Sequence, residues 1–159
     1  MRRKDRQITD RTIVDEILSN SEVVRLGFID DGRPYIVPFN YGYSDNCIYI
    51  HCAPQGRKID LIRQDPLVCI EAEQIAEIER YDRACQWGTN YRSVIGWGRA
   101  EIITDYQLKR DALDIIMRHY GADETHDLNY DKSQIDNMSV IKVVITEISG
   151  KQSADWQDR

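Results

Sequence analysis

Apolar and polar positions alternate along this chain with a period that changes several times. From Thr9 to Asn20 the apolar residues recur at helical spacing, with Ile13, Val14, Ile17 and Leu18 on one face. That spacing predicts a short amphipathic helix, capped by Thr9 or Asp10. Val23 to Ile29 then reads as a strand, and Asp30-Asp31-Gly32 is a strong hairpin signal because glycine tolerates positive φ. Pro34 to Tyr43 is the return strand. Pro38 has no amide hydrogen to give a ladder, so this stretch predicts an edge, a bulge or an interruption. Ser44-Asp45-Asn46 turns the chain into a third strand, Cys47 to Cys52, and the three strands read as a meander.

Gly56 to Gln64 has Ile59 and Ile62 at helical spacing, and Asp65-Pro66 stops that helix. Leu67 to Glu73 is a fourth strand. Residues 74–90 are mixed and polar and predict no element. Tyr91 to Thr104 is a long extended run in which Gly96 and Gly98 allow a bend or bulge. Thr104-x-x-Gln107 resembles a capping box, opening a helix with Leu108, Ala112, Ile115, Ile116 and His119 inward and Gly121 at its end. Residues 122–137 read as loop, Ser139 to Ile148 as a final strand, and the chain after Gly150 as a loose tail. Short antiparallel connections between these elements predict a mainly β fold. The expected form is a closed antiparallel β-barrel with peripheral helices, not a parallel sheet. Residues 1–150 form one expected domain and 151–159 a C-terminal tail.

Composition narrows the function. The chain has 159 residues, 42% of them hydrophobic, enough for one ordinary core. Its net charge of -6 argues against a nucleic-acid partner bound through phosphates. No apolar run has the length of a membrane span, and the basic start, Met1 to Arg6, lacks the apolar stretch of a secretory signal. A cytoplasmic protein is expected. Cys47, Cys52, Cys69 and Cys85 form no C-x-x-C pair and no zinc spacing, so reduced thiols and no metal site are expected.

Three segments could carry chemistry. His51-Cys52-Ala53-Pro54-Gln55-Gly56-Arg57-Lys58 takes a strand into a helix start, where unpaired amides, the helix dipole and two cations make a phosphate cradle. A solvated helix start accounts for the same residues more simply. Asn90 to Gly98 offers Arg92 and Ser93 as further anion contacts, with Tyr91 and Trp97 as core or ligand-stacking rings. Pro38-Phe39-Asn40-Tyr41 sits where a broken ladder frees backbone groups for a ligand, or is a plain bulge. His119 reads as a core or boundary residue and His126 as exposed. No nucleophile–base arrangement and no carboxylate pair stands out.

Taken in order, these segments resemble the pyridoxamine-phosphate-oxidase-like flavoproteins, and within them the nitroimidazole-resistance (Nim-type) group. The matching pieces are Met1 to Arg6, Pro34 to Tyr43, Ile48 to Ala53 with Gly56 to Asp60, Val68 to Glu71, Cys85 with Trp87-Gly88, and Tyr91 to Gly98. The resemblance implies a split β-barrel and a homodimer with FMN at its interface. Pro38, Phe39, Asn40 and Tyr41 would line the ring, and His51 would lie beside it as the candidate catalytic residue. Gly56, Arg57 and Lys58 would hold the phosphate, with Arg92 and Ser93 as further phosphate or ring contacts. It implies an FMN-dependent reductase of a small-molecule substrate. The C-terminal segment shows no equivalent of the substrate-binding Arg and Trp of true pyridoxamine-phosphate oxidases, so that reaction is not expected. A flavin-, haem- or deazaflavin-binding module, with His51 as the haem ligand, is the alternative. A barrel without a ligand, acting through protein contacts, is a third. Residues 74–90 or 122–137 could cover the site.

Overall fold

The computed structural model describes residues 3–154 and 156. Eight strands form one antiparallel sheet: β1 (Gln7–Ile8), β2 (Val24–Asp30), β3 (Arg33–Phe39), β4 (Gly42–Ser44), β5 (Cys47–Cys52), β6 (Leu67–Glu79), β7 (Gly88–Ile103) and β8 (Ser139–Gln152). Four helices accompany it: α1 (Arg11–Asn20), α2 (Arg57–Gln64), α3 (Tyr106–His119) and α4 (Lys132–Asp136). The strand order is β3-β2-β6-β7-β8-β5-β4, with β1 added to β8. β3 and β4 therefore lie at opposite ends of the order, yet only Asn40 and Tyr41 separate them in sequence. The sheet has to curl until its two edges meet at those residues, leaving a barrel with one unpaired seam.

This topology corrects the expected meander. β2 and β3 pair through the Asp31–Gly32 turn, where both residues take positive φ (49° and 75°). β5 instead joins β4 and β8, so the return strand expected at Pro34–Tyr43 is split between the two edges. Pro38 sits on edge strand β3, as its missing donor requires. The interruption comes two residues later.

The core is built by alternation. Along β7, Val94, Gly96, Gly98 and Ala100 face inward while Ile95, Trp97 and Arg99 face out. The small inward residues let the strands approach closely. A Cβ at Gly98 would fall 2.6 Å from Val143 Cγ1 and 2.8 Å from the Val144 carbonyl. The expected irregularity lies here, where the β7–β8 register shifts between Trp97 and Gly98. Asp10 caps α1 by accepting from the Thr12 amide at 2.9 Å, and Val14, Ile17 and Leu18 of α1 enter the barrel core with Leu26, Ile48, Ile50 and Ile70.

Other expectations shift. Asp105, not Thr104, caps α3 by accepting from the Leu108 amide at 2.9 Å, and the Gln107 side chain is spent on Asp111. Leu108, in the first turn of α3, is exposed, and Ala112, Leu113 and Ile116 form the buried face. Residues 74–90 are not structureless: β6 and β7 run on past the barrel as a hairpin arm. Within 122–137 lies α4. The last strand continues past Ile148 to Gln152, held by pairing with β7 and β1. Ser153 is buried against Asn90, so the expected tail at 151 begins as a strand. Met1, Arg2, residue 155 and residues 157–159 of the expected basic start and tail lie outside the described residues.

α3 covers the outer side of β4 and β5 with contacts to Tyr49. The outer side of β3, β2, β6 and β7 has no helix on it. Ile29, Ile36, Leu67 and Trp97 are exposed there around an apolar groove of about 410 Å3. No described helix is long and apolar enough to cross a membrane.

Candidate functional site

The segment expected to cradle an anion forms where β5 leads into α2. Gly56 stands before the helix with φ +130°, and a Cβ there would meet nothing within 4 Å. Glycine is required by the backbone angle, not by crowding, and the space above this backbone is open. The amides of Ile59 and Asp60 bond to the Gly56 carbonyl at 2.9 and 3.2 Å. Helix geometry leaves the Arg57 and Lys58 amides without a partner inside the helix.

Both cations of the first turn of α2 lie over rings of β3. The Arg57 guanidinium carbon is 4.7 Å from the Tyr35 ring centre, and its Nε and Nη2 contact the Asp30 carboxylate at the end of β2. The Lys58 ammonium is 6.0 Å from the Phe39 ring centre. Among the described residues no carboxylate forms an ion pair with Lys58, in contrast to Arg57. Cys52 lies behind the same ammonium. Burial pushes its thiol pKa up, and the Lys58 charge pulls it part of the way back. The cluster is thus a half-buried aromatic wall with one paired and one unpaired cation above it.

The expected site residues fall into four places. Phe39, Gly56, Arg57 and Lys58 come together in this cluster. Pro38, Asn40 and His51 are exposed, and alternation puts them on the strand faces opposite Phe39 and Cys52. The Tyr41 side chain is fully buried and its hydroxyl donates to the Leu18 carbonyl at 2.5 Å, so its ring belongs to the core and not to the cluster. The reason is the seam, where the chain crosses from one barrel edge to the other and carries Tyr41 inward.

Arg92 and Ser93 lie away from this cluster within one chain. Ile103 pairs with Val140, which pairs with His51, and Arg92 lies eleven residues back along β7. At roughly 3.3 Å per residue that is about 36 Å of strand. Arg92 is buried, paired to Glu16 at 3.1 Å and stacked 4.5 Å from the Trp156 ring. Ser93 is half-buried and pairs in register with Glu73 and Lys151.

Asp30 and Tyr35 were not marked by the sequence as site residues. Asp30 reads as part of a turn signal and Tyr35 as a strand residue. Their meeting with Arg57 depends on α2 packing back over the β2–β3 hairpin, for which no local pattern speaks. No cluster of potential metal ligands occurs among the described residues, and all four cysteines are free.

Comparison with known proteins places this architecture. The family model described as pyridoxamine 5'-phosphate oxidase matches residues 10–152. The chain belongs to that family. A crystal structure of a candidate 5-nitroimidazole antibiotic resistance protein from Bacteroides thetaiotaomicron is 32% identical, with a TM-score of 0.80 over 91% of this chain and 85% of that one. A protein from Mycobacterium smegmatis described as binding FAD and heme has the same split-barrel fold, with a TM-score of 0.84 at 19% identity over 97% of this chain and 76% of that one. A curated relative from Rhizobium meliloti (strain 1021), itself uncharacterized, is 31% identical over 70 residues, or 44% of this chain. The match spans less than half, 46%, of that relative's length. Of these neighbours, the Mycobacterium smegmatis protein is thus the one described as holding a flavin.

Proposed function

We propose that this protein binds FMN and acts as a reductase of small molecules, with nitroimidazole-type compounds the first substrates to examine. The observation that carries the reading is the cluster at the barrel seam. An open glycine backbone, two orphan amides and an unpaired lysine suit a phosphate, and the Phe39 edge beside them suits a planar ring. A phosphate contact beside a planar-ring contact is the donor set a flavin mononucleotide would use. When bound, FMN supplies the electron transfer, and the protein supplies position and charge. The backbone at Gly56 and the Lys58 ammonium hold the phosphate end, with Arg57 beside them on Asp30. Phe39 borders the ring from the cluster side, while Pro38, Asn40 and His51 face the opposite way and are proposed as ring or substrate contacts on the family resemblance.

The bare apolar face of β3, β2, β6 and β7 supports a homodimer. β3 carries that face on one side and the cation cluster on the other, so a second copy on the face would bring a neighbour to the flavin edge. An isologous contact needs only one such self-complementary patch. Four cysteines without a disulfide support a reducing, cytoplasmic setting.

The test is the visible absorption spectrum of the purified full-length protein, with the released ligand identified by mass spectrometry. Two flavin bands and released FMN support the reading, and turnover of a nitroimidazole with a reduced nicotinamide as donor would extend it. A Soret band would favour the heme-binding reading that the Mycobacterium smegmatis neighbour raises. A colourless protein that refuses added FMN would overturn the proposal.

A further inference from the structure

The two cations of the cradle are not equivalent, and the difference lies in a residue outside it. The Asp31–Gly32 turn leaves Asp30 at the last position of β2, facing the start of α2. Its carboxylate takes both Nε and Nη2 of Arg57, the side-on edge of the guanidinium that would otherwise receive a phosphate in two parallel bonds. The Tyr35 ring centre lies 4.7 Å from the same guanidinium. Lys58 has no such partner.

From this geometry, and resting on the flavin reading above, we infer that Asp30 is a built-in competitor for Arg57. It withholds that cation from the ligand's phosphate and leaves Lys58 as the principal phosphate contact. The consequence is a cradle tuned to weaker binding of phosphorylated ligands than its residues would allow.

Two effects of removing the Asp30 charge point the same way. The freed guanidinium gains a charge-assisted bond to phosphate, and a carboxylate that repels the phosphate is lost. One effect opposes them, because Asp30 also holds Arg57 still. That effect is small, since Arg57 is 62% exposed and exposed ion pairs contribute little. Tighter binding should therefore win.

The experiment titrates FMN and riboflavin into the flavin-stripped full chain, comparing the parent with Asp30→Asn, Arg57→Ala, the double variant and Lys58→Met. Asp30→Asn should tighten FMN about tenfold, the scale of one charge-assisted bond, and leave riboflavin unchanged. Arg57→Ala should weaken FMN by less than about threefold in the parent but by about tenfold in the Asp30→Asn background. Lys58→Met should weaken FMN by about tenfold or more, again sparing riboflavin. If Asp30→Asn binds FMN no tighter, or if Arg57→Ala costs as much in the parent as in the Asn background, the inference is overturned while the flavin reading stands. If neither flavin binds any of these proteins, the flavin reading fails and takes the inference with it.

Discussion

Replacing Tyr41 with phenylalanine separates the ligand site from the frame behind it. The side chain is fully buried, and its hydroxyl donates at 2.5 Å to the carbonyl of Leu18 in the last turn of α1. Carbonyls in a last helical turn lack a helical partner. The His119 ring packs on Tyr41 at 4.4 Å between centres, and the Tyr41 amide donates to the Tyr120 hydroxyl at 3.1 Å. Tyr41→Phe keeps the ring and its packing and removes the hydroxyl alone. The Leu18 carbonyl is then buried without its donor, which costs about 1–3 kcal/mol. Tyr41→Ala also empties the ring's volume and should cost about 3–5 kcal/mol. Urea unfolding followed by tryptophan fluorescence measures both. The phenylalanine variant should show a lower midpoint with an unchanged slope, and its flavin affinity under native conditions should equal the parent's. A phenylalanine variant as stable as the parent but unable to bind flavin would refute the argument, because the hydroxyl would then belong to the ligand.

Trp97 is 46% exposed at the centre of the bare sheet face. Trp97→Glu should turn a dimer into a folded monomer by light scattering and lower flavin occupancy with it; a dimeric Glu variant would move the interface elsewhere. Stability should also depend on pH through Asp15 and Tyr43. Burial would raise the Asp15 pKa, but hydrogen bonds from Arg11 and Tyr43 outweigh it and hold it below the usual carboxylate value. Asp15 therefore adds stability above about pH 3.9, the unfolded value, that is lost as pH falls through the lower folded value. Tyr43 is pushed up to about 12, first by burial and then by its bond to Asp15. Its contribution is complete below about pH 10 and lost as pH rises through the folded value. Melting temperature against pH should show both edges in the parent; in Asp15→Asn the acid edge should be lost and the alkaline edge only reduced, because burial of Tyr43 remains; an unchanged curve would remove this network from the account.

Much of this protein was legible locally. Val14, Ile17 and Leu18 mark a helix face by spacing alone, and Asp31-Gly32 marks a two-residue turn by its tolerance for positive φ. Tyr91 to Thr104 marks a long extended run, with Gly96 and Gly98 marking where its ladder is irregular. The Gly56-Arg57-Lys58 segment could be marked as a candidate because it is contiguous, and the family likeness followed from such contiguous pieces in order. These features depend on residues within one or two turns of each other, so a linear pattern contains them. The capping of α3 by Asp105 and the length of the β6–β7 arm were misread at the same range, because polar residues fit a loop and an element's edge equally well. What the pattern could not contain is which strands become neighbours. Barrel closure sets β3 and β4 at opposite edges, carries Tyr41 into the core and brings Asp30 to Arg57 across 27 residues. It also places Arg92 far along β7 from the cradle. Those placements follow from packing the whole sheet around one core, where the energy of each contact depends on the position of every other strand.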